Sequence, residues 1–440
     1  MIFLFFLSVI SWILILSTIR DFWKRISVFL VFFVFSLTFE YLGFGYLYYL
    51  NFNTPTYGSL VYLKNGIENL FHINTFVIWI LVLAYAIFFH SYRLNKRRSS
   101  FQFLKMTTSA LKFYKSGQLF LALICLVFIR YILLVGFNNL PLVNSFKGAS
   151  ILEIVVLRDY AGNMVNNYHW FKFLLRDGLF FLLALFFSLS HFYKIGNSKL
   201  LFWVTLSLLI FTSLLTGEKG SIIDLVLFIF ISLIIIKKNG YMNFFPLVRF
   251  FSLSVLAIIG SYSLFMPANT FNTLIVGILD RLLVGQIIPG IFYLELFPDH
   301  HPFLLGGSFP NPMGLLPHVP IPLTQLVMNY SGYNEVGESL GVIGTMPYMF
   351  WGEMYANFGY IGILLSLFFA SCVFIYFDFI FFTKAKKSLI YLVFYCYLII
   401  HYKDMSVTGL FSFIFDFNLF LIFLIVLIFR LSFNRSTSNC

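Results

Sequence analysis

Charge is what this chain has least of. Of its 440 residues only 10% are Asp, Glu, Lys or Arg, where soluble domains carry about 25%. That scarcity excludes a solvated globular surface as the main environment of the chain. Cysteine is sparse too. Cys125, Cys372, Cys396 and Cys440 have neither metal-ligand spacing nor the look of a disulfide framework, so they read as structural and no metal is expected. No Gly-rich phosphate loop and no dinucleotide fingerprint occurs, so no nucleotide chemistry with a known pattern is available. Proline is rare outside one stretch: nine of the thirteen lie between Pro267 and Pro322.

What is present is apolar. The chain is 60% hydrophobic with a mean hydropathy of +0.91, and runs such as LFFLLALFFSLSHFY and LFLIFLIVLIF recur along it. Repeated spans of about 20 apolar residues indicate an all-α polytopic integral membrane protein. Eleven spans are expected, at 2–18, 26–49, 71–90, 118–137, 171–193, 200–216, 221–236, 250–266, 356–382, 388–402 and 409–429. The first reads as a retained span rather than a cleaved signal. The net charge of +12 does not point to nucleic acid, because the basic residues sit in short clusters between spans. Six such connections (Arg20–Arg25, Arg93–Lys115, Lys194–Lys199, Lys237–Arg249, Lys384–Lys387 and the tail from Arg430) fall on one side when spans alternate, and Asp21 is their one carboxylate. The positive-inside rule makes that side cytoplasmic, with the N-terminus outside and the C-terminus inside. The whole of 1–440 then forms one transmembrane domain, with a large structured periplasmic loop at 267–355.

Candidates for chemistry gather on the outer side. Arg281, the lone arginine of the Pro-rich stretch, lies in LIVGILDRLLVG, a helix-like segment suited to the interface. It could pair with Asp280 or clamp a diphosphate in bidentate fashion. In the turn TGEKGSIID, two glycines flank Glu218 and Lys219. The turn needs only small and polar residues, yet Lys219 beside exposed amides could hold an anionic head group. The loop 138–170 carries Arg158 among other charges. Lys172, Arg176 and Asp177 follow at the next span, with Arg176 expected to pair with a neighbouring carboxylate. In GEMYANFGYIG, Glu353 stands at a helix mouth. It is either dipole-stabilising or a general base or sugar ligand, and Tyr355 lies two residues on. His300, His301 and His318 are further candidates, and the adjacent pair is a weak metal signal because neighbours on an extended chain point apart. Aromatics make up 21% of the chain and are expected mostly at the lipid face. Phe309, Tyr330, Tyr333, Tyr348, Trp351 and Tyr355 are available to stack on sugars.

TGEKGS, DRLLVGQ, the Pro-rich segment and GEMYANFGYIG together resemble the Wzy-type O-antigen and oligosaccharide repeat-unit polymerases over roughly Leu206 to Phe369. The resemblance is carried by loose motifs. Some members carry an arginine followed at fixed spacing by glycine in two outer loops, a motif not matched by Arg281 and Gly290 or by Arg158 and Gly162. The resemblance implies a fold like the membrane-embedded lipid-linked glycosyltransferases and a location in the bacterial inner membrane. It implies a reaction on undecaprenyl-diphosphate-linked oligosaccharides, without cofactor or metal, with membrane lipid as surroundings and room for a chain-length regulator and a flippase as partners. In that setting Glu353 would be the base and Arg281 the diphosphate clamp. Lys219, Arg158, Glu218, His318 and Tyr355 would bind substrate. An O-antigen ligase-like glycosyltransferase, or a flippase or other transporter for the same lipid-linked unit, are the competing readings. No repeat relating 1–216 to 217–440, as a transporter would have, is visible.

Overall fold

The computed structural model describes residues 2–19, 21–91, 107–163, 168–215, 219–242, 252–256, 258–260, 262–263, 271–311, 317–333, 344–383, 389–414 and 416–434. The protein is an all-α polytopic membrane protein. Its longer helices among the described residues are α1 (Ile2–Thr18), α2 (Val28–Tyr49), α3 (Lys64–Ser91), α4 (Thr107–Val135), α5 (Ile151–Asn163), α6 (168–192), α7 (Ser198–Leu215), α8 (Lys219–Lys238), α9 (Phe271–Leu296), α10 (Leu323–Ser331), α11 (Phe350–Thr383), α12 (Leu389–Lys403) and α13 (Phe417–Asn434). Among the described residues nine helices are long and apolar enough to cross a membrane. Of the expected span at 250–266, residues 252–256, 258–260 and 262–263 are described and are helical. The only strands among those residues are β1 (Asn53–Thr54) and β2 (Gly58–Ser59), a small antiparallel hairpin with Asn53 opposite Ser59.

Helix ends follow local chemistry. Ser27, with extended backbone, accepts from the Leu30 N–H through Oγ and caps α2. Gly136, at φ +82°, stops α4 just after Val135. Lys237 and Lys238 occupy the last turn of α8, where the helix dipole favours cations. The interior is built largely of aromatic rings. Trp12 meets Tyr41 edge-on with centroids 4.8 Å apart, Phe29 stacks on Tyr85 at 4.2 Å, and Phe381 lies parallel to Tyr395 at 3.6 Å. Among the described residues, buried rings outnumber the fully exposed ones, so aromatics build the core as well as the periphery. Flat, stiff side chains fill the wide gaps between helices at low entropic cost. The short helix α12 is almost wholly buried and is surrounded by α2, α6, α8 and α13. Fifteen residues suffice there because protein, not lipid, sets the thickness to be crossed.

Described residues at the edges of the basic connections meet at one end of the bundle. Thr18 Oγ1 lies 2.8 Å from His90 Nε2, Met242 N–H donates to Lys24 O at 2.7 Å, and Arg25 donates to the Tyr241 hydroxyl at 2.6 Å. The Arg25 guanidinium also sits over the Phe382 ring, and Asn197 N–H donates to the Tyr114 hydroxyl. The opposite end is polar in a different way, mixing carboxylates with cations and loops.

The segment 267–355 is more helical than a loop. α9 has the length and apolarity of a span, but its contacts run across the polar end. Asp280 accepts from the Tyr46 hydroxyl and the Thr56 N–H. Leu283 and Ile287 press on Gly43 near the end of α2, and Ile291 presses on Gly66 at the start of α3. A helix touching two neighbouring helix tips at the same end lies along that surface. The chain 303–309 then crosses the start of α11: Leu304 and Leu305 N–H groups donate to the Ala356 and Asn357 carbonyls, and Gly306 N–H donates to Asn357 Oδ1 at 2.8 Å. α11 itself breaks at Gly359 (φ 62°, ψ −144°), a conformation open to glycine alone. Just beyond, Gly362 passes so close to the Met354 carbonyl that a Cβ would collide with it.

Candidate functional site

Among the described residues three helices contain a π-turn, and each π-turn carries charge. Leu37–Tyr41 holds Glu40, Phe173–Gly178 holds Arg176 and Asp177, and Asp280–Val284 holds Asp280 and Arg281. A π-turn widens the helix by one residue and re-aims side chains, and such turns are common at functional positions.

Two of the buried carboxylates act as brackets. Asp378, fully buried, accepts from the Val28 and Phe29 N–H groups and from the Tyr85 and Tyr395 hydroxyls, so it joins α11 to α2, α3 and α12. Glu40 Oε2 accepts from the Tyr348 hydroxyl and from Asn74 Nδ2, both at 2.9 Å, while Trp351 Nε1 donates to Asn74 Oδ1.

The residues singled out from sequence scatter over the polar end. Glu353 is half-buried, and its Oε2 accepts from the Phe411 N–H at 3.0 Å with Gly409 packed against it. It ties α11 to the connection between α12 and α13. Arg281 is exposed and has no salt bridge among the described residues. The expected pair with Asp280 is replaced by the Tyr46 and Thr56 contacts. Beside Arg281, burial raises the Tyr57 hydroxyl above its ordinary range and the guanidinium pulls it back. Arg281 and Glu353 do not form one constellation. Tyr293, which packs on Gly352, is twelve residues along α9 from Arg281, about 18 Å at 1.5 Å per residue. Arg158 is exposed on α5. Lys219 opens α8, and its side chain lies outside the described residues, as does all of Glu218. His318 is half-buried, with Nε2 3.2 Å from the Phe309 carbonyl, and braces the Pro-rich turn. Tyr355 is buried and donates to the Phe297 carbonyl at 3.0 Å. Of the proposed sugar-stacking rings, Tyr348, Trp351 and Tyr355 are core residues, whereas Tyr330 and Tyr333 are exposed.

What the fold does assemble is an ion cluster where α6, α8 and α12 meet the α12–α13 connection. Arg176 donates to Asp224 Oδ2 at 2.6 Å, as the expected pair with a carboxylate. Lys403 Nζ lies 2.8 Å from Asp224 Oδ1 and also contacts Asp404. His401 Nδ1 is 3.5 Å from Asp416 Oδ2, and His401 Nε2 has no hydrogen-bond partner among the described residues. Asp416 caps α13 by accepting from the Asn418 and Leu419 N–H groups. Buried charges persist only when paired, and here one carboxylate serves two cations.

Two openings flank this cluster. On one side an apolar groove of about 540 Å³ runs between α11, α12 and α13, with Asp416 in its wall and Phe377, Phe394, Phe420 and Phe423 among its lining. On the other side a small cavity lined by Lys172, Arg176, Ser213 and Ser221 lies between α4, α6, α7 and α8. His401, Lys403, Asp404 and Asp416 are absent from the sequence-based selection. A Lys-Asp doublet in a short connection reads as topology, and only the tertiary fold brings its partner Asp224 beside it. No protein-family profile matches the chain, and neither a curated protein nor a solved structure matches it.

Proposed function

We propose that the chain is a membrane glycosyltransferase that joins undecaprenyl-diphosphate-linked oligosaccharide repeat units on the outer face of the inner membrane, the reaction of the Wzy-type polymerases it resembles. The observation that carries this reading is the pair of openings on either side of one buried ion cluster, at the end away from the basic connections. Polymerisation needs two lipid-linked substrates at once, a donor and an acceptor. The groove suits an isoprenoid tail, since its lining is aromatic and aliphatic and its helices border lipid. The bond changes are simple. The acceptor hydroxyl oxygen attacks the anomeric carbon of the donor, the bond from that carbon to the diphosphate oxygen breaks, and the hydroxyl proton passes to a base. The donor arrives activated, so no nucleotide is consumed. Cations at this end would stabilise the departing diphosphate, with Arg281 and Arg158 both exposed at the surface. Glu353 then serves as a positioning residue, holding the α12–α13 connection beside the cluster.

The broken helix at Gly359 favours a second reading, a transporter for the same lipid-linked unit. One experiment separates the readings. The gene is deleted in its host and the surface polysaccharide is run on a gel. A polymerase predicts single repeat units without a ladder, restored by wild type at equal membrane levels. Loss of even the single unit, with precursor trapped on the inner leaflet, would instead make the chain a flippase, and precursor trapped on the outer leaflet a ligase.

A further inference from the structure

The small cavity beside the ion cluster has a composition that the cluster does not. Its wall contains two cations, Lys172 and Arg176, and the hydroxyls of Tyr131, Thr212, Ser213 and Ser221, and among the described residues no carboxylate. Arg176 is fixed from behind by Asp224. Lys172 is half-buried and has no hydrogen bond or salt bridge among the described residues. Ser221 lies in the first turn of α8, where backbone N–H groups lack intrahelical acceptors and where no acidic residue stands among the described residues. The cavity encloses about 40 Å³. One water needs about 10–15 Å³ on this scale, so the space holds about three waters, or ~90 Å³ of liquid. That is room for one phosphoryl group in a recess that is open on one side.

We propose that Lys172, Arg176, Ser213 and Ser221 form a binding site for a single phosphoryl group, the terminal phosphate of a lipid diphosphate. The identity of the lipid rests on the function proposed above, whereas the anion site does not. Lys172 supplies a second positive charge, with half-buried Asp177 within electrostatic reach of both cations, Arg176 a guanidinium held in place by Asp224, and the two serines hydroxyls in the wall. A lysine retained only to snorkel towards lipid head groups would have no need of this cavity.

The test is calorimetric titration of the full-length protein in nanodiscs with inorganic pyrophosphate and, separately, farnesyl diphosphate. Both are expected to bind and to compete. Lys172→Gln should weaken each about tenfold, the scale of one charge-assisted contact. Lys172→Arg should bind nearly as wild type does, and Ser221→Ala should lose severalfold. Tighter binding of farnesyl diphosphate than of pyrophosphate identifies a lipid head group as the ligand, and equal binding identifies a free anion; the site stands in either case. Absence of binding by the wild type overturns the proposal. So does unchanged affinity in K172Q and S221A at wild-type unfolding temperatures, and S221A decides alone should K172Q misfold. If K172Q loses anion binding while the deletion strain keeps its full ladder, the glycan reading fails and the site remains. If the ladder is lost on deletion but K172Q binds normally, the site fails and the reading remains.

Discussion

Asp378 is one buried carboxylate with four donors. The Val28 and Phe29 N–H groups are at the open end of α2, and the hydroxyls of Tyr85 and Tyr395 come from two other helices. Removing the acceptor takes a buried partner from each of the four. Asp378→Ala should therefore cost about 3 kcal/mol or more, seen as a large fall in the unfolding temperature of the detergent-purified protein. Asp378→Asn, which keeps one acceptor oxygen, should fall less. Equal unfolding temperatures for D378A and wild type would remove Asp378 from this role. Such brackets are only partly legible in sequence. The pairing of Arg176 with a carboxylate is, because an arginine inside an apolar run needs one. Its identity, Asp224, is not, since the two residues are 48 positions apart. The Asp280–Arg281 doublet misleads for the opposite reason. Adjacent residues on a helix point about 100° apart, so proximity in sequence does not make them partners.

At the scale of elements, apolar run length reveals most helices, and their boundaries shift by several residues where a helix extends past the apolar run. α3 begins at Lys64 rather than at 71, and α11 at Phe350 rather than at 356. The π-turns leave no compositional trace, because one inserted residue changes geometry and not hydropathy. α9 is the harder case. Its composition allows a span, and only the contacts of Asp280, Leu283 and Ile291 with neighbouring helix tips lay it along the surface. The motif GEMYANFGYIG acquires a backbone meaning: Gly359 provides the left-handed break, and Gly362 the close crossing with Met354. Gly359→Ala should destabilise by about 1–3 kcal/mol, measurable as a lowered unfolding temperature. Gly45→Ala, on α2 with nothing within 4 Å of the added methyl, should change it little. Equal effects of the two would show that the positive φ at 359 carries no strain.

For the whole molecule, the two ends of the bundle differ as the charge pattern of the connections leads one to expect, and contacts such as Arg25 with Tyr241 gather the basic segments together. Orientation then yields a labelling prediction. In a background lacking the native cysteines, Asn51→Cys beside the hairpin should react with a membrane-impermeant maleimide on intact cells, and Lys194→Cys should react only after permeabilisation. The reverse pattern would invert the chain and put the ion cluster on the cytoplasmic side.

The groove at Asp416 is open sideways: Tyr376, Phe420 and Phe423 in its wall are about half-exposed on the bundle's flank. A ligand reaching it through that flank travels in two dimensions, within the bilayer. Occupancy is then governed by the mole fraction of that ligand among lipids and not by its concentration in bulk solution. Extra phospholipid, with enzyme and substrate amounts unchanged, would act as a diluent and slow the reaction as a competitive inhibitor would.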